Sequence, residues 1–160
     1  MRLDEIVPRW QFRERHRIRI DAPPEQVYAA VRAVTAREIR FFLSFTALRR
    51  LGRPGAPGIL NPPPDEPILD VAARTGFQLV ADDPPREVVI ALRIGREVLA
   101  AMNFFIDGAE LSTETRIHAA TRRAALKFGL YWMVIRAGSG ILRRTWLRAI
   151  RRRALKSASF

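Results

Sequence analysis

The polar and apolar positions of this chain repeat with two periods, and the switches between them mark its elements. Residues Arg13–Ile20, RERHRIRI, alternate strictly: Arg13, Arg15, Arg17 and Arg19 share one face, Glu14, His16, Ile18 and Ile20 the other. That is the two-residue repeat of a half-buried strand. In the following DAPPEQVYAAVRAV, the paired prolines suit a first helical turn, which needs no N–H donors, and Val27, Val31 and Val34 form one stripe. A second helix is predicted over roughly Arg37–Leu51, with Ile39, Phe42, Leu43 and Thr46 at similar spacing. In Gly52–Pro64, GRPGAPGILNPPP, eight of thirteen residues are glycine or proline, which predicts a loop and a candidate gate. DEPILDVAARTG predicts a short helix, capped by Asp65 and closed by Gly76 in the left-handed conformation.

The period then returns to two. FQLVAD, EVVIALRIG, VLAAMNFFID and ELSTETRIHA are strand-like, separated by DPPR, a break near Gly95, and the Asp107-Gly108 hairpin signal. Connections this short predict an antiparallel meander. From Thr121 to about Ser157 one long helix is predicted, on the stripe Leu126, Leu130, Val134, Ala137, Ile141, then Leu142, Trp146, Ala149 and Ile150. Gly138-Ser139-Gly140 inside it costs about 1 kcal/mol per glycine against alanine, so a close backbone approach or a bend is expected there. The fold class is α+β.

Composition narrows the function classes. The 160 residues suffice for one domain with its own core. The longest apolar run, Leu130–Ile135, is far below the ~20 residues of a membrane span, and the charged N-terminus lacks a signal peptide's apolar segment, so a cytoplasmic location is expected. With no cysteine, thiolate chemistry is excluded. The net charge of +12 is concentrated: residues 1–114 hold 16 basic and 16 acidic side chains, residues 115–160 hold 12 basic and no acidic ones. Arg144, Arg148, Arg151 and Arg152 recur at helical spacing as a candidate anion-binding set, with Arg143, Arg153 and Lys156 broadening the surface. A solvated helix end, an anionic membrane or lipid headgroup, and nucleic acid are the readings; no base-reading motif supports the last.

The words IRIDAPPEQVYAAV (Ile18–Val31), AMNFFID (Ala101–Asp107) and LSTETRI (Leu111–Ile117) resemble the START-like, or SRPBCC, superfamily of polyketide cyclases and lipid-transport proteins. Leu130–Ala154 is close to bacterial members of it, and the likeness runs from about Arg13 to Leu155. The resemblance implies residues 1–12 as an N-terminal extension and 13–157 as a single helix-grip domain. In that fold a curved antiparallel sheet wraps a long C-terminal helix, with two short helices after the first strand and a cavity for an apolar ligand. The superfamily usually shows six or seven strands; five are counted here, with a hairpin shortened near Gly95–Val98, which implies a smaller or more open cavity.

On that arrangement Ile18, Ile20, Met102, Phe104, Thr113, Thr115 and Ile117 face the helix, met by Tyr131, Met133 and Val134. The expected ligand-binding set is Met102, Asn103, Phe104, Thr113, Thr115, Tyr131 and Val134, apolar with a polar minority that orients the ligand. Asn103 must find partners if buried, or lie on the outer face. His16 and His118 lack metal-ligand spacing, and neither a metal nor a cofactor is expected. Glu114 is expected in a surface cross-strand pair with Arg15 or Arg17. No serine elbow, phosphate loop or triad signature occurs. The favoured function is therefore non-catalytic binding of a hydrophobic small molecule or lipid. A cyclase- or hydrolase-like enzyme using the same cavity, and an anionic-surface module using the basic helix, are the alternatives.

Overall fold

A computed structural model describes residues 1–49, 59 and 61–157. The elements are α1 (Arg2–Ile6), β1 (Phe12–Arg19), α2 (Pro24–Ala33), α3 (Phe42–Arg49), α4 (Ile68–Arg74), β2 (Gln78–Asp83), β3 (Glu87–Ile94), β4 (Val98–Asp107), β5 (Glu110–Ala119) and α5 (Arg122–Ser157). The five strands form one antiparallel sheet in the order β1-β5-β4-β3-β2. Only β1 is placed out of sequence order, at the edge beside β5. The sheet curves against α5 in the helix-grip arrangement expected from the sequence.

Two short elements depart from expectation. Helix α3 begins at Phe42 rather than near Arg37, because Phe41 sits at φ +64°, a left-handed conformation that a right-handed helix cannot pass through. Its upstream turn is held by Glu38, which accepts from the Thr35 N–H (2.8 Å) and hydroxyl (3.1 Å). At α4 the N-cap is Pro67, without a side-chain cap, while Asp65 pairs with Arg37 at 2.9 Å. The closing glycine holds: Gly76 has φ +106° and the Phe77 N–H donates to the Ala72 carbonyl. The glycine- and proline-rich segment read as a gate lies largely outside the described residues.

The sheet has two covered faces. On the inner one, Val88, Ile90, Met102, Phe104, Ile106 and Leu111 pack against α2, α4 and the C-terminal half of α5, whose Trp146, Leu147 and Ile150 are buried. A second inner cluster joins Phe12 to Phe128 and Trp132, with ring centroids 5.6 and 6.1 Å away. On the outer face, α1 and the residue after it place Leu3 and Val7 over Val89, Ala91 and Ala101.

A buried polar network fastens α1 there. Glu87 accepts from the backbone N–H groups of Arg2 (2.6 Å) and Leu3 (3.3 Å) and from the Asn103 amide (2.7 Å). Arg116 donates to Glu114 (2.6 Å), Asp4 (2.7 Å) and the Val7 carbonyl (3.2 Å), beneath the Trp10 ring. Arg13 grips both oxygens of Glu114 at 2.8 and 3.0 Å. Glu114 is thus on the outer face but buried; the expected cross-strand partner Arg15 stands at 4.0 Å, while Arg13 and Arg116 hold it more closely and Arg17 pairs with Glu110 instead. Burial resists its charge, but the two guanidiniums outweigh that and hold the carboxyl below its ordinary range.

Candidate functional site

Between the inner face and α5 lies a cavity of about 360 Å³. Its walls are mostly apolar, with Ile90, Met102 and Ile117 from the sheet and Trp132, Leu142 and Trp146 from the helix. Protein interiors rarely hold voids much larger than a water molecule, and this one falls within the range of ligand pockets, about 300–1,000 Å³. It opens toward the β3–β4 turn, where lining residues Ile94 and Tyr131 are 42% and 41% exposed.

Among its described lining residues, the polar side chains are Thr115, Tyr131, Ser139 and Arg143. Arg143 donates to the hydroxyls of Thr115 (2.8 Å) and Thr113 (3.3 Å), and its guanidinium carbon lies 5.9 Å from the centre of the Trp146 ring. Burial pushes its pKa down to about 10, against the attraction of Glu14, so it remains a cation at neutral pH. Neither hydroxyl neutralises that charge, and no carboxylate lies within ion-pair distance of it among the described residues.

Behind the threonines is a second pair. β1 places Glu14 and His16 on its inward face, opposite Thr115 and Thr113 respectively. His16 Nε2 lies 2.6 Å from Glu14 Oε1, and since an ionised carboxylate only accepts, Nε2–H is the donor. The other carboxylate oxygen is buried without a hydrogen-bond partner among the described residues. The helix approaches so closely that a Cβ on Gly140 would stand 3.1 Å from Glu14 Oε1, and one on Gly129 would stand 3.3 Å from the Phe12 ring. At Gly140 this is the close approach expected of the Gly138-Ser139-Gly140 segment; Gly129 adds a second one that the sequence does not single out. Neither Glu14 nor His16 forms part of the cavity wall.

The residues expected at the ligand separate into three groups. Met102, Thr115 and Tyr131 line the cavity; Phe104 and Thr113 share the inner face but are packed in the core or bound to Arg143. Asn103 belongs to the outer face, fully buried and bonded to Glu87, so it cannot reach a ligand under α5. Val134 points away from the sheet at 81% exposure, and Met133 likewise at 69%. The reason is that the first half of α5 carries two apolar stripes. The stripe Phe128, Trp132, Ser139, Trp146 and Ile150 turns inward, leaving Leu126, Leu130, Val134 and Ile141 outward. Arg143 lies on that inward stripe, so it is a cavity residue rather than part of the basic surface.

The remaining nominated arginines, Arg144, Arg148, Arg151 and Arg152, are exposed on the outer side of α5. Arg152 donates to the Glu38 carbonyl at 2.7 Å and Arg153 holds the Glu38 carboxylate at 2.9 Å. With Arg37, Arg40 and Lys156 they border a surface hollow of about 560 Å³. His118 shares the outer face with Glu114, away from the cavity. Among the described residues no group of three or more metal-ligating side chains comes together, and no helix is long and apolar enough to cross a membrane.

No family model matches the chain, and no curated protein does. Among solved structures, the chain is similar to CalU16 from Micromonospora echinospora, at 16% identity over 92% of this chain and 86% of that one, with a TM-score of 0.33. It is also similar to the di-domain ARO/CYC BexL from the BE-7585A biosynthetic pathway, at 12% identity over 89% of this chain and 50% of that one, with a TM-score of 0.36. A third likeness is to TTHA0849 from Thermus thermophilus, at 12% identity over 91% and 99% of the two chains, with a TM-score of 0.32.

Proposed function

We propose that the chain binds a hydrophobic small molecule or lipid, without chemical conversion, in the cavity beneath α5. Arg143 and Thr115 receive its polar or anionic end, and Tyr131 stands at the mouth. The observation that carries this reading is an apolar-walled space of about 360 Å³ with one half-buried cation in its wall, held by two threonine hydroxyls. Apolar surface entering such a space gains about 25 cal/mol per Å² before ordering costs. A charge-assisted hydrogen bond to Arg143 adds orientation. The resemblance to START-like proteins points the same way. Among the described lining residues the titratable groups are Tyr131 and Arg143, and the Glu14–His16 pair lies outside the wall; a cyclase- or hydrolase-type reaction in the same cavity is the alternative reading.

Fluorescence titration with two probes tests the reading: neutral N-phenyl-1-naphthylamine, and a long-chain fatty acid carrying a dansyl group. The protein is expected to bind both. Ala100→Phe, which places a ring in the cavity, is expected to abolish both signals. Arg143→Met is expected to spare the neutral probe and weaken the acid by about tenfold or more, the worth of a charge-assisted hydrogen bond. Unaltered binding of both probes by Ala100→Phe would refute the cavity as the site.

A further inference from the structure

The outward side of α5 carries a pattern that the cavity does not use. Leu126, Leu130, Met133, Val134 and Ile141 are 66%, 65%, 69%, 81% and 54% exposed. With exposed Ala137 between them, they recur every three or four residues and therefore share one helical face. At the helical rise this ridge extends about 22 Å. The same line continues into exposed Arg144, Arg148, Arg151 and Arg152, and exposed Arg123 and Lys127 flank its other end. A scattered surface leucine needs no explanation, but a contiguous apolar ridge of this length does.

We propose that this face of α5 docks the protein on an anionic lipid surface, the apolar ridge entering the headgroup boundary and the basic ends meeting lipid phosphates. Charge selects this occupant. Residues 115–160 hold twelve basic and no acidic side chains. A second copy of the chain packed ridge to ridge, parallel or antiparallel, would bring only positive ends together. Nucleic acid would satisfy the arginines but leave the apolar centre unexplained. A helix with an apolar ridge and cationic flanks is the arrangement that lies in a membrane interface without crossing it. The ridge also runs beside the cavity mouth, where Tyr131 belongs to the same helix.

Cosedimentation of the full chain with vesicles tests the proposal. Strong binding is expected to equal parts phosphatidylcholine and phosphatidylglycerol, weaker binding to phosphatidylcholine alone, and a decline as salt is raised. The double variant L130E/V134E changes only exposed side chains, and its thermal unfolding should match the parent's. It is expected to lose about tenfold or more in partitioning. R144Q/R148Q/R151Q is expected to lose most of the salt-dependent part. Absence of binding to the mixed vesicles would overturn the proposal, as would equal binding by L130E/V134E. A dimer seen by light scattering that L130E/V134E splits into monomers would assign the ridge to self-association instead.

Discussion

Arg143 is the residue on which the site turns. A guanidinium is costly to bury, and here its hydrogen bonds go to two threonine hydroxyls, which satisfy donors without cancelling charge. Binding of the dansyl fatty acid should accordingly hold steady across neutral pH, because burial lowers the Arg143 pKa only to about 10 and the guanidinium stays charged there. On the opposite face, Glu114 is buried between Arg13 and Arg116, and its folded pKa is lowered from 4.5. Its contribution to stability is therefore fully present above pH 4.5 and lost as pH falls through the depressed folded value. Glu114→Gln should cost about 1.5–3 kcal/mol at neutral pH by removing the carboxylate that Arg13 and Arg116 share, although Arg116 keeps Asp4, and should flatten the acid limb of a Tm-against-pH curve. A parent and variant with parallel acid limbs would contradict that assignment.

At the scale of elements, α5 shows both what sequence patterning can say and where it stops. Its existence and length follow from helical spacing over residues 121–157, and the strands of the meander from period two. Its rotation does not follow. Two apolar stripes run along residues 126–142, and the choice between them depends on which one meets the sheet. Phe128 and Trp132 win because Phe12 on β1 completes an aromatic cluster with them, a contact visible only once β1 is placed beside β5. The same rotation brings Arg143 inward and Val134 outward. The sequence leaves Asn103 open between an inward and an outward position for a similar reason, since its burial depends on α1, a helix of only five residues that no periodicity announces. Gly140 is legible: a Cβ at position 140 would crowd a Glu14 carboxylate already held by His16. Gly140→Ala should therefore lower Tm, although alanine favours an isolated helix by about 1 kcal/mol. A rise in Tm would show that β1 yields at no cost.

For the whole molecule, the sheet serves two layers with different chemistry. Its outer face is covered over β3, β4 and β5 by α1 and an ion-paired network and left to solvent at the β1 arginines, while its inner face is packed at both ends of α5 and hollow between them. The proposed function assigns the space of about 360 Å³ on the inner face, far larger than an ordinary packing void, to a bound ligand. Native mass spectrometry of the protein purified from its own host tests this most directly. The account predicts a mass above that of the chain, released on collisional activation as an apolar molecule with an acidic or hydrogen-bond-accepting end, and missing from Ala100→Phe. Bare chain in every preparation, together with no uptake of either fluorescent probe, would contradict it.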